Sequence, residues 1–175
     1  SEGWWPTWSK IEIFGREEIK KYQKKVYFDL DMVIQGDITP ILEHDADWAA
    51  IECPWKGKIF RLKHPGESII NTSVMVWKDI TWIYDKWESD WKNIVRNYRG
   101  TDYWYHVNGL RPTSLPKVFY SYREGSKPSH YWVNGMKPYL QYQPDYSVCL
   151  FHQKPDLHEL DKSNRLYKIW HETVS

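Results

Sequence analysis

The chain has 175 residues, a formal net charge of +1, and 41% apolar against 27% charged residues. That length suits one domain with a proper core, and that composition excludes a disordered chain. The near-zero charge and the lack of a basic block argue against nucleic acid as the main partner, and no apolar run reaches the ~18 residues of a membrane span.

Residues 10–24 read as a helical region that turns Lys-rich at its end (Lys20, Lys21, Lys24, Lys25), a solvated face. Residues 25–34 read as a strand, Gly36 to Leu42 as a turn into a short helix, and Trp48 to Cys53 as a second strand. Residues 54–68 form a loop rich in Pro, Gly and Lys, and residues 69–77 a third strand with a polar break at Asn71 to Ser73. The clearest helix starts near Asp79. Ile80, Ile83, Trp87, Trp91, Ile94 and Tyr98 recur at steps of three or four and share one face. Asp79 suits its N-cap and Gly100 its stop. A second helix from Thr101-Asp102 carries Tyr103, Trp104 and His106. A strand at 117–122, a Gly/Ser/Pro/Asn-rich stretch at 124–138, a last strand at 147–152 and a polar helical tail complete the chain. Strands alternating with helices predict an α/β fold.

The two cysteines, Cys53 and Cys149, lie far apart in strand-like runs and read as small buried hydrophobes. Without a disulfide framework, a reducing, cytoplasmic setting is expected. Aromatic residues are abundant, with 12 Trp, 13 Tyr and 5 Phe. Most read as packing, while exposed rings can stack on sugar faces.

The chemistry concentrates where apolar strands are interrupted. Asp29 and Asp31 break the run Val26-Tyr27-Phe28-Asp29-Leu30-Asp31-Met32-Val33-Ile34. Unpaired carboxylates are costly in a dry core. Residues i and i+2 share a strand face, so a strand ending here brings both acids to one point at its carboxyl edge. Two such oxygens suit a hard divalent cation that bridges to phosphates. The plainer reading is a strand end with two solvated acids. Asn71-Thr72-Ser73 and His152-Gln153-Lys154 are the other polar interruptions, and Asp102 opens a helix. Here too plainer readings stand: a bulge or strand beginning at Asn71 to Ser73, a helix cap at Asp102, a strand-end histidine at His152 and a surface lysine at Lys154.

These residues resemble a known family. Tyr27-Phe28-Asp29-Leu30-Asp31, followed by Val33-Ile34 and Gly36-Asp37-Ile38, is similar to the DxD strand of metal-dependent, retaining-type glycosyltransferases of the GT-A fold, in the glycogenin and lipopolysaccharide galactosyltransferase group (family 8) and its bacterial and phage relatives. Gly3-Trp4-Trp5 and Lys10 to Phe14 resemble the segment before that strand. Ile70 to Trp77, Gly100-Thr101-Asp102 and Phe151-His152-Gln153-Lys154-Pro155 resemble later segments of the family, in family order. The match runs from residue 3 to about 155 within a single domain of residues 1–175, leaving 156–175 as a C-terminal tail.

The resemblance implies a GT-A-like mixed sheet flanked by helices. It also implies transfer of a sugar from a nucleotide-sugar donor to an acceptor. Asp29, Asp31 and His152 would hold Mn²⁺ or Mg²⁺, which neutralises charge developing on the diphosphate leaving group. Asp29 and Lys154 would serve the donor, with Lys154 as a point charge on its phosphates. Lys10, Asn71, Thr72 and Ser73 fall at substrate-binding positions. Asn71 and Asp102 would orient the donor sugar and the acceptor hydroxyl, a positional form of catalysis.

Three departures accompany the match. Gln153 stands where the family has a Gly, and Asn71 is followed by Thr-Ser rather than Ser-Gly. The family fold also begins with a strand–loop–helix half that cradles base and ribose, so the resemblance implies either a longer enzyme or a partner chain. The rival reading is a non-catalytic carbohydrate-binding or interaction module retaining the fold. A phosphoesterase or nuclease would need more carboxylates or a basic track.

Overall fold

The computed structural model describes residues 8–52, 70–98, 100–122, 141–151 and 155–172. They fall into two compact units. The first comprises described residues within 8–27, 45–52 and 70–115, and the second those within 28–44 and 116–172.

The first unit is built on a four-stranded sheet of order β1-β4-β3-β5, formed by β1 (Lys25–Phe28), β3 (Trp48–Glu52), β4 (Ile70–Trp77) and β5 (Thr113–Ser114). The sheet is mixed, since β3 runs antiparallel to β4 and parallel to β5. Trp48 pairs with Trp77 and Ala50 with Met75, but Ile51 then pairs with Asn71. Thr72, Ser73 and Val74 are therefore passed over by the β3 ladder, so the polar break seen in sequence is a real irregularity of pairing.

Among the described residues, the two longest helices of this unit follow β4. The first, α3 (Thr81–Asn97), buries Ile83, Trp87 and Ile94 on one face, as the periodicity predicts. Its N-cap is Ile80 rather than Asp79, yet the Asp79 carboxylate still accepts a hydrogen bond from Thr81 N at 3.0 Å. That bond holds the Asp79 carboxyl below its ordinary range. Asp90 leaves helical geometry within α3, and its carboxylate accepts from Asn93 Nδ2 at 2.7 Å. This is the local competition that short acidic side chains offer a helix. The second, α4 (Thr101–Val107), packs on β4. Gly100 opens α4 with φ 148°, a backbone conformation that favours glycine, instead of stopping α3.

The helical region expected over residues 10–24 divides. A 3₁₀ turn covers Ser9–Phe14 and α1 covers Glu17–Lys20, with the break at Gly15. The Tyr84 ring lies where a Cβ on Gly15 would project, so this close approach requires a glycine. The core of the unit is aromatic. Phe14 meets Trp77, Tyr105 and Trp48 edge-on, with ring centroids 5.2, 5.9 and 6.4 Å apart.

The second unit holds a three-stranded sheet of order β2-β7-β6, from β2 (Met32–Ile34), β6 (Phe119–Tyr122) and β7 (Val148–Phe151). It too is mixed, with β2 antiparallel and β6 parallel to β7. The short helix α2 (Thr39–Leu42) follows β2. The expected tail helix is a 3₁₀ turn at Leu157–Glu159 and α5 (Arg165–Glu172), whose Leu166 is buried with Tyr122, Phe151 and Leu157. Cys149 is free and buried in this core, and burial pushes its thiol up to about 12. Cys53, the 54–68 loop and the 124–138 stretch lie outside the described residues.

The single strand expected over 25–34 is a correction. β1 and β2 belong to different sheets, and Asp29-Leu30-Asp31 is the segment joining them. Charged side chains at this point end the first strand, because neither can be buried unpaired between sheet layers.

Candidate functional site

The Asp29-Leu30-Asp31 segment leaves β1 at its carboxyl end and enters β2 at its amino end. Asp29 is half-buried, Asp31 is exposed, and Leu30 between them is 97% exposed. The apolar residue points into solvent while the acid before it is sheltered, the reverse of ordinary burial preference. Asp31 is tied down through its backbone: Phe151 N donates to Asp31 O at 3.0 Å. The end of β7 is thereby held against the Asp31 backbone, and His152 follows Phe151 directly in sequence. His152 and Lys154 themselves lie outside the described residues. By chemistry alone, Asp29 and Asp31 offer the hard oxygen donors that a divalent cation takes.

A second group of predicted residues converges within the first unit. The Thr72 hydroxyl donates to Asp102 Oδ1 at 2.5 Å, and Lys10 Nζ donates to Thr72 O at 3.4 Å. Lys10 Nζ also stands 5.5 Å from the centre of the Tyr27 ring, within cation–π range. Thr72 is 2% exposed, so the carboxylate is anchored by a buried hydroxyl. The fold positions this group by two devices. The pairing irregularity on β4 frees Thr72 from the β3 ladder, and the tight start of α4 at Gly100 brings Asp102 to it. Asp102 is the second residue of α4 and uses its side chain across 30 residues of sequence, so the helix-cap reading does not describe it. Asn71 turns inward on its own chain, with Oδ1 accepting from Ser73 N at 3.1 Å.

Tyr105 of α4 is fully buried, and burial first, then the Asp102 carboxylate, pushes its hydroxyl well above the ordinary range. Neither Tyr27 nor Tyr105 stands out in the sequence as a site residue, because aromatic residues are everywhere in this chain. A further cluster, Asp156, His158 and Glu159, brings ligand atoms within 4.8 Å of one another. Asp156 and Glu159 there exchange hydrogen bonds as a capping box, which accounts for their closeness.

No protein-family model matches the chain, and no curated protein matches it in sequence. A solved structure does resemble it: the galactosyltransferase LgtC, crystallised with donor and acceptor sugar analogs, with a TM-score of 0.58 at 15% identity. The fold is GT-A-like. The likeness covers 96% of this chain and 65% of that one, so the chain spans just under two-thirds of the galactosyltransferase's length. It agrees with the mixed sheets and flanking helices expected from the sequence. Among the described residues, no helix is long and apolar enough to cross a membrane.

Proposed function

We propose that this chain is a metal-dependent glycosyltransferase domain that moves a sugar from a nucleotide-sugar donor to an acceptor. The observation that carries the reading is the Asp29-Leu30-Asp31 segment that follows β1, its Asp31 backbone bonded to Phe151 at the end of β7, in a GT-A-like fold. The donor and acceptor sugar analogs of the galactosyltransferase neighbour point to the same ligand class.

In this reading Asp29, Asp31 and His152 would hold Mn²⁺ or Mg²⁺. The ion supplies Lewis-acid neutralisation of charge on the diphosphate leaving group. Lys154 adds a positive charge for the same phosphates. Asp102, fixed by Thr72, accepts a hydrogen bond from a sugar or acceptor hydroxyl and so orders the reacting groups. Lys10 offers a cation beside Tyr27 for the donor, and Asn71 and Ser73 set the shape of the β4 irregularity. The rival reading is an aromatic-rich carbohydrate-binding or interaction module that retains the fold without turnover.

The test is release of nucleoside diphosphate from a panel of UDP-sugars, with Mn²⁺ and after chelation. Mn²⁺-dependent release that Asp29→Asn and Asp31→Asn each abolish supports the transferase. Sugar binding with no release under any metal condition supports the module.

A further inference from the structure

β2 has only three residues and pairs with β7 at Met32–Leu150, Val33–Cys149 and Ile34–Val148. Register is normally set by a buried face alternating with an exposed one. Here Met32 and Val33 are both buried, so β2 has no such alternation, and its apolar pattern specifies its position weakly. Yet register decides what stands beside the carboxylates. In the observed register Asp31 O receives Phe151 N, and a slip of one or two residues would place a different residue there.

A polar cluster stands at the opposite end of the ladder. Gln35 follows β2 directly. Its Nε2 donates to Gln143 O at 2.5 Å and to Tyr146 O at 2.8 Å. Its Oε1 accepts from the Tyr120 hydroxyl at 2.9 Å. That hydroxyl in turn accepts from Gln143 N at 3.3 Å, and Tyr120 is fully buried. Gln35 N and Gly36 N both donate to Ser147 O, at 2.9 and 3.2 Å. A primary amide has two donor hydrogens and one acceptor oxygen, and in the observed register all are used. Any slip costs the buried Tyr120 hydroxyl its acceptor on Gln35 and two carbonyls their Gln35 donor, while Tyr120 keeps its contacts with Gln143 N and the Cys149 thiol. Fixing register is the best-attested use of a buried polar group.

We propose that Gln35 is a positioning residue: its amide locks β2 onto β7 and thereby holds Asp31 against Phe151, the residue before His152. The lock is a matter of geometry in this sheet. Its importance for metal binding rests on the function proposed above.

The experiment is residue-resolved amide hydrogen exchange on the full chain, comparing wild type with Gln35→Leu and the milder Tyr120→Phe. It is joined to Mn²⁺ titration by electron paramagnetic resonance. β7 carries its own control, because Ser147 N and Val148 N bond to Val118 O on the β6 side, each at 3.0 Å. The expected result is selective: Phe151 N loses protection by about tenfold or more while Ser147 N and Val148 N keep theirs, and Mn²⁺ affinity falls by about the 10- to 100-fold typical of a lost supporting residue. Retained Phe151 protection in both variants overturns the proposal. So does equal loss on both sides of β7, which is the signature of general destabilisation. Selective loss with unchanged Mn²⁺ affinity overturns the positioning role. A wild-type chain that takes up no Mn²⁺ refutes the metal reading, and the exchange pattern then decides the register lock by itself.

Discussion

The Thr72 hydroxyl donates to Asp102 Oδ1 at 2.5 Å, joining the irregular stretch of β4 to the first turn of α4. Hydrogen bonds to an ionised acceptor are short and stronger than neutral ones. The pairing thus fixes a carboxylate on rigid elements, as a positioning group requires. Asp102→Asn keeps an oxygen that can accept from Thr72 but removes the charge. Turnover is expected to fall on the order of 100-fold, with little change in melting temperature. Thr72→Val removes the donor from a buried position and is expected to cost about 1.5–3 kcal/mol in stability. Steady-state kinetics beside thermal melts check both. An Asp102→Asn protein that melts early but turns over normally would make the contact purely structural.

The carboxylate pair carries a second prediction. Asp29→Asn and Asp31→Asn are each expected to abolish Mn²⁺ uptake and to reduce sugar transfer by about 100-fold or more, a charge-stabilisation loss of several kcal/mol. Chelation of the wild-type protein should match either variant, and added Mn²⁺ should restore only the wild type. Isothermal titration with Mn²⁺ and a diphosphate-release assay measure the two effects. Activity that survives chelation undiluted would place the chemistry elsewhere.

Phe14 sits at the centre of the aromatic core, edge-on to Trp48, Trp77 and Tyr105. Phe14→Ala is expected to destabilise the first unit by about 3–5 kcal/mol, from lost burial plus the cavity left behind. Denaturant unfolding followed by Trp fluorescence measures it, since Trp48 and Trp77 report from the same cluster. A loss under about 1 kcal/mol would mean the surrounding rings collapse into the space.

Alkaline pH should weaken the second unit. Burial raises the Cys149 thiol from an ordinary 9.0 to about 12, and it raises the Tyr120 hydroxyl as well. A raised value means the fold favours the protonated form. The associated stability is complete below pH 9.0 and is lost as pH climbs towards about 12, because only the unfolded chain ionises in that interval. The melting temperature is expected to drop steadily above about pH 9, and Cys149→Ala should move the onset towards the tyrosine range near pH 10. A flat profile across that interval would contradict the prediction.

Several features were legible in the sequence because their cause is local. Apolar residues at steps of three and four gave the buried face of α3, with Ile83, Trp87 and Ile94 inward. Two carboxylates inside an apolar run marked Asp29-Leu30-Asp31 as a polar interruption, though not that the run expected as one strand over 25–34 divides there into β1 and β2. The polar interruption at Asn71 to Ser73 marked where the β3–β4 ladder loses register. In each case, near neighbours along the chain contain the signal.

Other features depended on residues far apart. Nothing in residues 25–34 shows that β1 and β2 enter different sheets, because that depends on β4 and β7 as partners. β5 is two exposed residues whose strand character comes from lying parallel to β3. The expected helix divides at Gly15-Arg16, where Arg16 turns extended, and the Tyr84 ring packed on Gly15 comes from 69 residues further along the chain. Gln35 and Tyr120 meet across 85 residues, and Thr72 and Asp102 across 30. The sequence by itself determined periodicity, the position of the acids and the α/β class. Tertiary structure alone decided pairing, register and which polar groups meet, because those are settled by competition among distant segments for the same hydrogen bonds and the same buried volume.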